Sequence, residues 1–246
     1  MCDLLAISAG FNYTPRQYLP LFAEKGKRNL NGWGIGFFRE GEALLERSLE
    51  SIYHDDQMHE SFQRLARVID SRMILAHLSC PLIGGRHRQP SHPCTLHFLG
   101  HPWLFVHVGI VPAVDGYQTE LVPRLDADIP SARIFEFLRD RMVRLCAENP
   151  YLELGSVVAA ATAQLVARYP GHYSYFLANE SLLFAYFNFR RLMMFKEQET
   201  LGNILLLTTV EEGLSDQQWR RIEPEPAGQG KLVVVSGADF VYQASL

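Results

Sequence analysis

Two rhythms of apolar and polar residues run along the chain. Short apolar runs bounded by turn residues predict strands over residues 2–8, Trp33 to Glu40, Ala43 to Glu50, Met73 to Leu78 and Trp103 to Val108. The C-terminal half repeats the pattern over Tyr173 to Ala178, Leu182 to Phe187, Arg191 to Phe195, Asn203 to Thr209 and Lys231 to Ser236. Glu40-Gly41-Glu42 reads as a hairpin turn, and the Pro/Gly stretch from Pro224 to Gly230 precedes a last hairpin. Helical spacing marks the other elements. Thr14-Pro15 reads as a cap leading into a helix from Arg16 to Lys25. Asp55 and Asp56 read as the cap of a helix over 57–70, where Met58, Phe62, Leu65, Ala66 and Ile69 share a face. Further helices are predicted from Ser131 to Cys146 and from Gly155 to Tyr169, the latter stopped by Pro170-Gly171. Between Ser79 and His101 lies a long Pro-, Gly- and His-rich stretch that predicts a loop, and loops of that length usually carry function. Groups of strands interrupted by paired helices predict two sheets with helices outside, in one domain over residues 1–246.

Composition narrows the function classes. Hydrophobic residues make up 48% and charged residues 20%, ordinary values for a globular protein. A formal net charge of −4 provides no basic footprint for nucleic acid. No apolar run reaches the ~18 residues of a membrane span, and the N-terminus lacks the pattern of a secretory signal. The cysteines Cys2, Cys80, Cys94 and Cys146 form no disulfide framework, which suits a reducing, cytoplasmic setting.

Cys2 carries the most distinctive chemistry. Removal of Met1 would leave it N-terminal, with a thiol nucleophile and an α-amine base (ordinary pKa near ~8) on one residue. Taken alone, Cys2 reads first as a small apolar residue buried at the start of a strand, and only the stretches downstream raise the functional reading.

Several stretches, taken in order, carry a resemblance. They are Met1-Cys2-Asp3-Leu4-Leu5, Asn31-Gly32-Trp33-Gly34-Ile35-Gly36, Leu75-Ala76-His77, Ser91-His92-Pro93 and Val106-His107-Val108-Gly109. Together with Gln217-Gln218-Trp219 and Ile222-Glu223-Pro224, they resemble the class II glutamine amidotransferases of the N-terminal nucleophile (Ntn) hydrolases, in their stand-alone form. The resemblance implies an α+β fold, a four-layer αββα sandwich with Cys2 at the start of a strand between the layers. It implies Cys2 as the nucleophile that attacks an amide and forms a thioester, with Gly109 supplying a backbone N–H to the oxyanion hole. It also implies that Asn31, Gly32, Trp33 and Gly34 border the substrate, with Asn31 standing where the family usually has Asp. Trp33 reads equally as a pocket wall or as core.

Three positions depart from the family pattern. Ser79 stands where an Arg would grip the glutamine α-carboxylate, and Ser cannot form the bidentate charged pair. Val108 stands where an Asn amide would complete the oxyanion hole. Pro130-Ser131-Ala132 stands where an Asp would hold the α-ammonium. Losing one charge-assisted contact costs about 1.5–3 kcal/mol. A missing oxyanion donor costs about 3 kcal/mol, and the two do not simply add. A shift of alignment would let Arg86 or Arg88 replace the missing Arg, but not the Asn.

Three functions follow as expectations: an amidohydrolase for a small amide other than glutamine, an inactive binding or regulatory subunit, and a residual glutaminase. A separate acceptor enzyme or a homo-oligomer are the partners left open, and no cofactor is expected. Cys80, His87, His92, Cys94, His97, His101 and His107 form a crowd of the kind that binds zinc, but their spacing repeats no finger pattern and no metal is assigned. His77, His92 and His107 fall where the family also carries His and read as hydrogen-bonded histidines shaping the site. His87, His97 and His101 read as solvated loop residues.

Overall fold

The computed structural model describes residues 2–27, 32–79, 92–123, 125, 129–224 and 230–246. The chain runs β1 (Asp3–Tyr13), α1 (Tyr18–Lys25), β2 (Trp33–Arg39), β3 (Glu42–Ser48), β4 (Tyr53–His54), β5 (Gln57–Met58), α2 (Glu60–Val68) and β6 (Ser71–Leu78). It continues through β7 (Cys94–Phe98), β8 (His101–Ile110), a 3₁₀ turn (Pro112–Gly116), α3 (Pro130–Glu148) and α4 (Leu154–Arg168). β9 (His172–Ala178), β10 (Leu182–Phe187), β11 (Leu192–Glu199), β12 (Gly202–Thr208), β13 (Arg220–Ile222), β14 (Lys231–Ser236) and β15 (Asp239–Ser245) complete it.

Among the described residues two large antiparallel sheets result, beside a two-stranded ribbon of β4 and β5. One has the order β13-β11-β12-β1-β6-β2-β3, and the other β15-β14-β10-β9-β8-β7. Alternation along each strand sorts the apolar residues into three cores. Leu5, Ile7, Ile35 and Ile74 face α1 and α2, where they meet Tyr18, Phe22, Phe62 and Leu65. Leu4, Ala6 and Leu75 face the second sheet and meet Leu104, Val106 and Phe176. Trp103, Phe105 and Tyr175 face α3 and α4, where Phe135, Leu138 and Val158 close the third core. Helices, sheet, sheet, helices is a four-layer αββα sandwich. Strands at its centre are buried on both faces, which is why Leu4-Leu5-Ala6-Ile7 reads as a continuous apolar run.

Several boundaries differ from the sequence reading. The stretch from Ser79 to His101 is not wholly loop: Cys94–Phe98 is an edge strand paired with β8, and its alternation is hidden by Thr95 and His97 on the exposed side. Asp55 and Asp56 do not cap α2. They sit at φ 49° and 60° in the turn joining β4 to β5, a conformation Asp tolerates well. His59 precedes the helix instead. Thr14 accepts a hydrogen bond from the Arg16 N–H at 2.8 Å, so a tight turn delays α1 to Tyr18. The first strand runs past residue 8 to Tyr13: β12 pairs with it as far as Ala9, and after an irregularity β6 pairs Ser71 with Tyr13. No helix among the described residues is long and apolar enough to cross a membrane.

Candidate active site

The site is built where β1 begins and β8 ends. Leu4 and Ala6 point between the sheets, and the same alternation carries the half-buried Cys2 to that face. Opposite them, Leu104 and Val106 lie on the inner face of β8, and Val108 continues that row against the same core. Gly109 follows and pairs with Tyr173 of β9. Any side chain at Gly109 would place its Cβ 1.9 Å from the His172 carbonyl, so only glycine permits this approach.

A transverse row crosses the first sheet two residues beyond Cys2. Leu4 lies beside His77, and His77 beside Gly34. Gly34 leaves room for the His92-Pro93 backbone: a Cβ there would stand 2.0 Å from the His92 carbonyl oxygen. The His92 ring therefore packs against His77 at 4.9 Å, and its Nδ1 lies 4.0 Å from the Cys94 sulfur. On β8 the His107 ring stacks on Phe105 at 6.3 Å, and its Nδ1 meets the Ser131 hydroxyl at 3.0 Å at the start of α3. All three imidazoles are buried. Desolvation pushes His77 well below the ordinary value, with His92 and His107 adding to the effect. Burial lowers His92 to about 4, offset in part by a hydrogen bond to the Phe105 backbone and reinforced by the Arg47 charge. Burial and the neighbouring His92 lower His107 to about 3, offset in part by the His172 backbone. At neutral pH the trio therefore offers hydrogen-bonding groups and no positive charge.

The remaining predicted residues divide. The Ser79 N–H donates to the Gly32 carbonyl at 3.0 Å, which joins the ends of β6 and β2. Trp33 turns the other way. It is buried under α2, edge-on to Phe62 at 5.1 Å and His59 at 5.2 Å, and belongs to the outer core. Asn31, Arg86 and Arg88 lie outside the described residues, as do Cys80 and His87. Pro130 opens α3, whose first turn holds no acidic residue and no side-chain cap. Among the described residues no group of three or more His, Cys, Asp or Glu side chains is placed to hold a metal.

Sequence reasoning passed over two residues beside Cys2. Arg190 donates to the Cys2 carbonyl at 2.8 Å, and Thr209 receives the Leu4 N–H on its hydroxyl at 2.9 Å. The one available signal was a charged residue closing the aromatic run Phe187-Asn188-Phe189.

Comparison with known proteins decides the family. The model of the class II glutamine amidotransferases matches residues 1–209. The chain belongs to this family. Its curated relatives include the gamma-glutamyl-hercynylcysteine sulfoxide hydrolases of two Mycobacterium tuberculosis strains, each 30% identical over 161 residues, which cover 62% of this chain. The chain spans 64% of the length of those relatives. Among solved structures, a predicted glutamine amidotransferase from Pseudomonas aeruginosa superposes with a TM-score of 0.65 at 16% identity, covering 98% of this chain and all (100%) of that one. The glutamine phosphoribosylpyrophosphate amidotransferase of B. subtilis superposes with a TM-score of 0.62 at 10% identity, over 100% of this chain and 49% of that one. These structural likenesses establish the Ntn-type fold.

Proposed function

We propose that Cys2, once freed of Met1, is the nucleophile of an amide hydrolysis whose substrate lacks the free amino-acid end of glutamine. The observation that carries this reading is the meeting of two strand ends. The Cys2 end of β1 and the Val108-Gly109 end of β8 face the same inter-sheet layer, and the Tyr173 partner of Gly109 is tied through Asn188 to the segment that holds the Cys2 carbonyl. The family membership supports the nucleophile. Ser79 and Val108 in the sequence, with Pro130-Ser131-Ala132 opening the first turn of α3, support the altered substrate. The relatives' name as hydrolases favours water over an amine as the final acceptor.

The chemistry balances within the chain. The thiol proton passes to the neutral α-amine of Cys2 as sulfur attacks the amide carbon. The carbonyl oxygen becomes an oxyanion, which the Gly109 N–H is suited to receive. Collapse expels the amine or ammonia, which takes the proton back from the α-ammonium, and leaves a thioester. Water then attacks the thioester with its proton drawn to the same amine, and acid and free thiol are released. Without an amide at position 108, one donor replaces the usual two, so turnover is slow relative to a complete site.

The replaced grip positions also favour a second reading, a binding or regulatory subunit without turnover. One experiment separates the two. Intact mass establishes whether Met1 is absent. A thiol-directed probe is then applied to native wild type and Cys2→Ala, alongside assays of glutamine and of glutamine blocked at both α-groups. The expected result is loss of Met1, dominant labelling at Cys2, and Cys2-dependent hydrolysis of the blocked amide at least as fast as that of free glutamine. Retained Met1, or labelling at Cys2 no stronger than at Cys146, would overturn the hydrolase reading in favour of the binding subunit.

A further inference from the structure

The connection from β10 to β11 crosses from one sheet to the other, because β10 belongs to the second sheet and β11 to the first. It crosses beside the candidate site, and its consecutive residues are tied at both ends. Asn188 fastens the second sheet: its N–H donates to the Tyr173 carbonyl at 3.0 Å and its Oδ1 accepts the Tyr173 N–H at 2.8 Å. Its Nδ2 donates to the Gly171 carbonyl at 2.9 Å. The Phe189 ring stacks on His172 at 4.9 Å and 15°. Tyr173 is the strand partner of Gly109, and the His172 carbonyl is the group that lies against it.

Arg190 fastens the first sheet. Its Nη1 donates to the Cys2 carbonyl at 2.8 Å, and its Nη2 donates to the Thr209 carbonyl at 2.6 Å and to Asp3 Oδ1 at 3.1 Å. Thr209 completes the clamp, with its hydroxyl donating to Asp3 at 3.3 Å. The Arg190 side chain is 9% exposed. Burying an ion pair of this kind contributes little net stability, because desolvation offsets the attraction. What it does supply is geometry: a first residue is free to fray unless tied down, and a fixed carbonyl restricts where the thiol and amine of that residue can point.

We propose that Asn188-Phe189-Arg190 is a brace that sets the nucleophile against the oxyanion donor, with Arg190 as the positioning residue of Cys2. This rests on the reading of Cys2 as the nucleophile. The brace spans the two sheets that carry the reacting groups, and so adds a polar tie beside the site to the inter-sheet core that Leu4 and Val106 share. The guanidinium charge is offset by Asp3 at 3.1 Å and its contact with Cys2 is at the carbonyl, so its effect on the thiol is one of placement.

The test is the rate of Cys2 alkylation by iodoacetamide in the full chain, followed by peptide mass spectrometry across pH, for wild type, Arg190→Met, Arg190→Lys and Asn188→Ala. Thermal melting of each variant is recorded in parallel. Arg190→Met is expected to slow alkylation at Cys2 about tenfold or more across the pH range, while Cys146 is unchanged. Arg190→Lys keeps a donor for the Cys2 carbonyl and recovers the rate in part, because it lacks the fork. Asn188→Ala slows alkylation at Cys2 and leaves Cys146 unchanged. If Arg190→Met does not fold, the other two variants carry the test. Folded variants that alkylate with the wild-type rate and profile would overturn the brace while leaving the nucleophile in place. A wild-type Cys2 that reacts no faster than Cys146 would overturn both.

Discussion

At the scale of single residues, the site turns on groups that are small or uncharged. Gly34 and Gly109 are required because backbone carbonyls, those of His92 and His172, occupy the space a Cβ would take. Val108 contributes a methyl-lined wall where a donor would be useful. Replacing Val108 with Asn on the inner face of β8 should therefore raise Cys2-dependent hydrolysis of the blocked amide by about 10²-fold, the usual worth of one oxyanion donor. Steady-state ammonia release measures it, and an unchanged rate would show that the side chain at 108 does not reach the reacting carbonyl. The ordered motifs single out Cys2, Gly109, Ser79 and Val108 in the sequence as candidates. They do not single out Arg190, since it meets Cys2 only through a crossover 188 residues away.

At the scale of elements, the path that follows β8 into α3 is pinned by buried charge. Asp140 accepts hydrogen bonds from the Tyr117 hydroxyl at 2.5 Å, the Thr119 hydroxyl at 2.8 Å and the Glu120 N–H at 2.8 Å. Arg139 adds Nε to Asp140 at 2.9 Å and donates to the Val122 carbonyl at 3.2 Å. Burial pushes the Asp140 carboxyl up, but these bonds together hold it below the ordinary carboxylate range. Asp140→Ala would leave the buried Arg139 without its main partner, a loss of about 3–5 kcal/mol. Urea unfolding checks this, and a midpoint shift worth under about 1 kcal/mol would contradict it. Helical spacing marks α3 but says nothing of this network, because Tyr117 and Thr119 come from a segment with no periodicity. The same blindness affected β7 and the turn at Asp55-Asp56. A short edge strand with polar residues on its open side, and Asp at positive φ, look like loop and cap when read along the chain.

At the scale of the whole molecule, three neutral imidazoles lie buried, His77 and His92 packed together and His107 against the start of α3, and they make stability depend on pH. Their folded values lie below the ordinary 6.5, at about 4 for His92, about 3 for His107 and well below the ordinary value for His77. The unfolded chain therefore binds more protons than the folded one in this range. Stability from these groups is complete above the ordinary value and is lost as pH falls through the folded values. At pH near ~5 the loss is about 2 kcal/mol for each histidine that stays neutral. Thermal melting should weaken from about pH 6.5 downward, above the range where ordinary carboxylates titrate. A flat profile between about pH 7 and 5 would sink this account. The sequence by itself determined most of the strands and helices through local periodicity, and its ordered motifs carried the family resemblance that implies the four-layer class and marks Cys2 as the candidate nucleophile. Only the tertiary structure decided which face each residue serves. It turned Trp33 into the outer core, gathered His77, His92 and His107 out of contact with water, and brought Arg190 to Cys2. Those outcomes depend on strand register and on the crossing between sheets, and neither is written in any short stretch of chain.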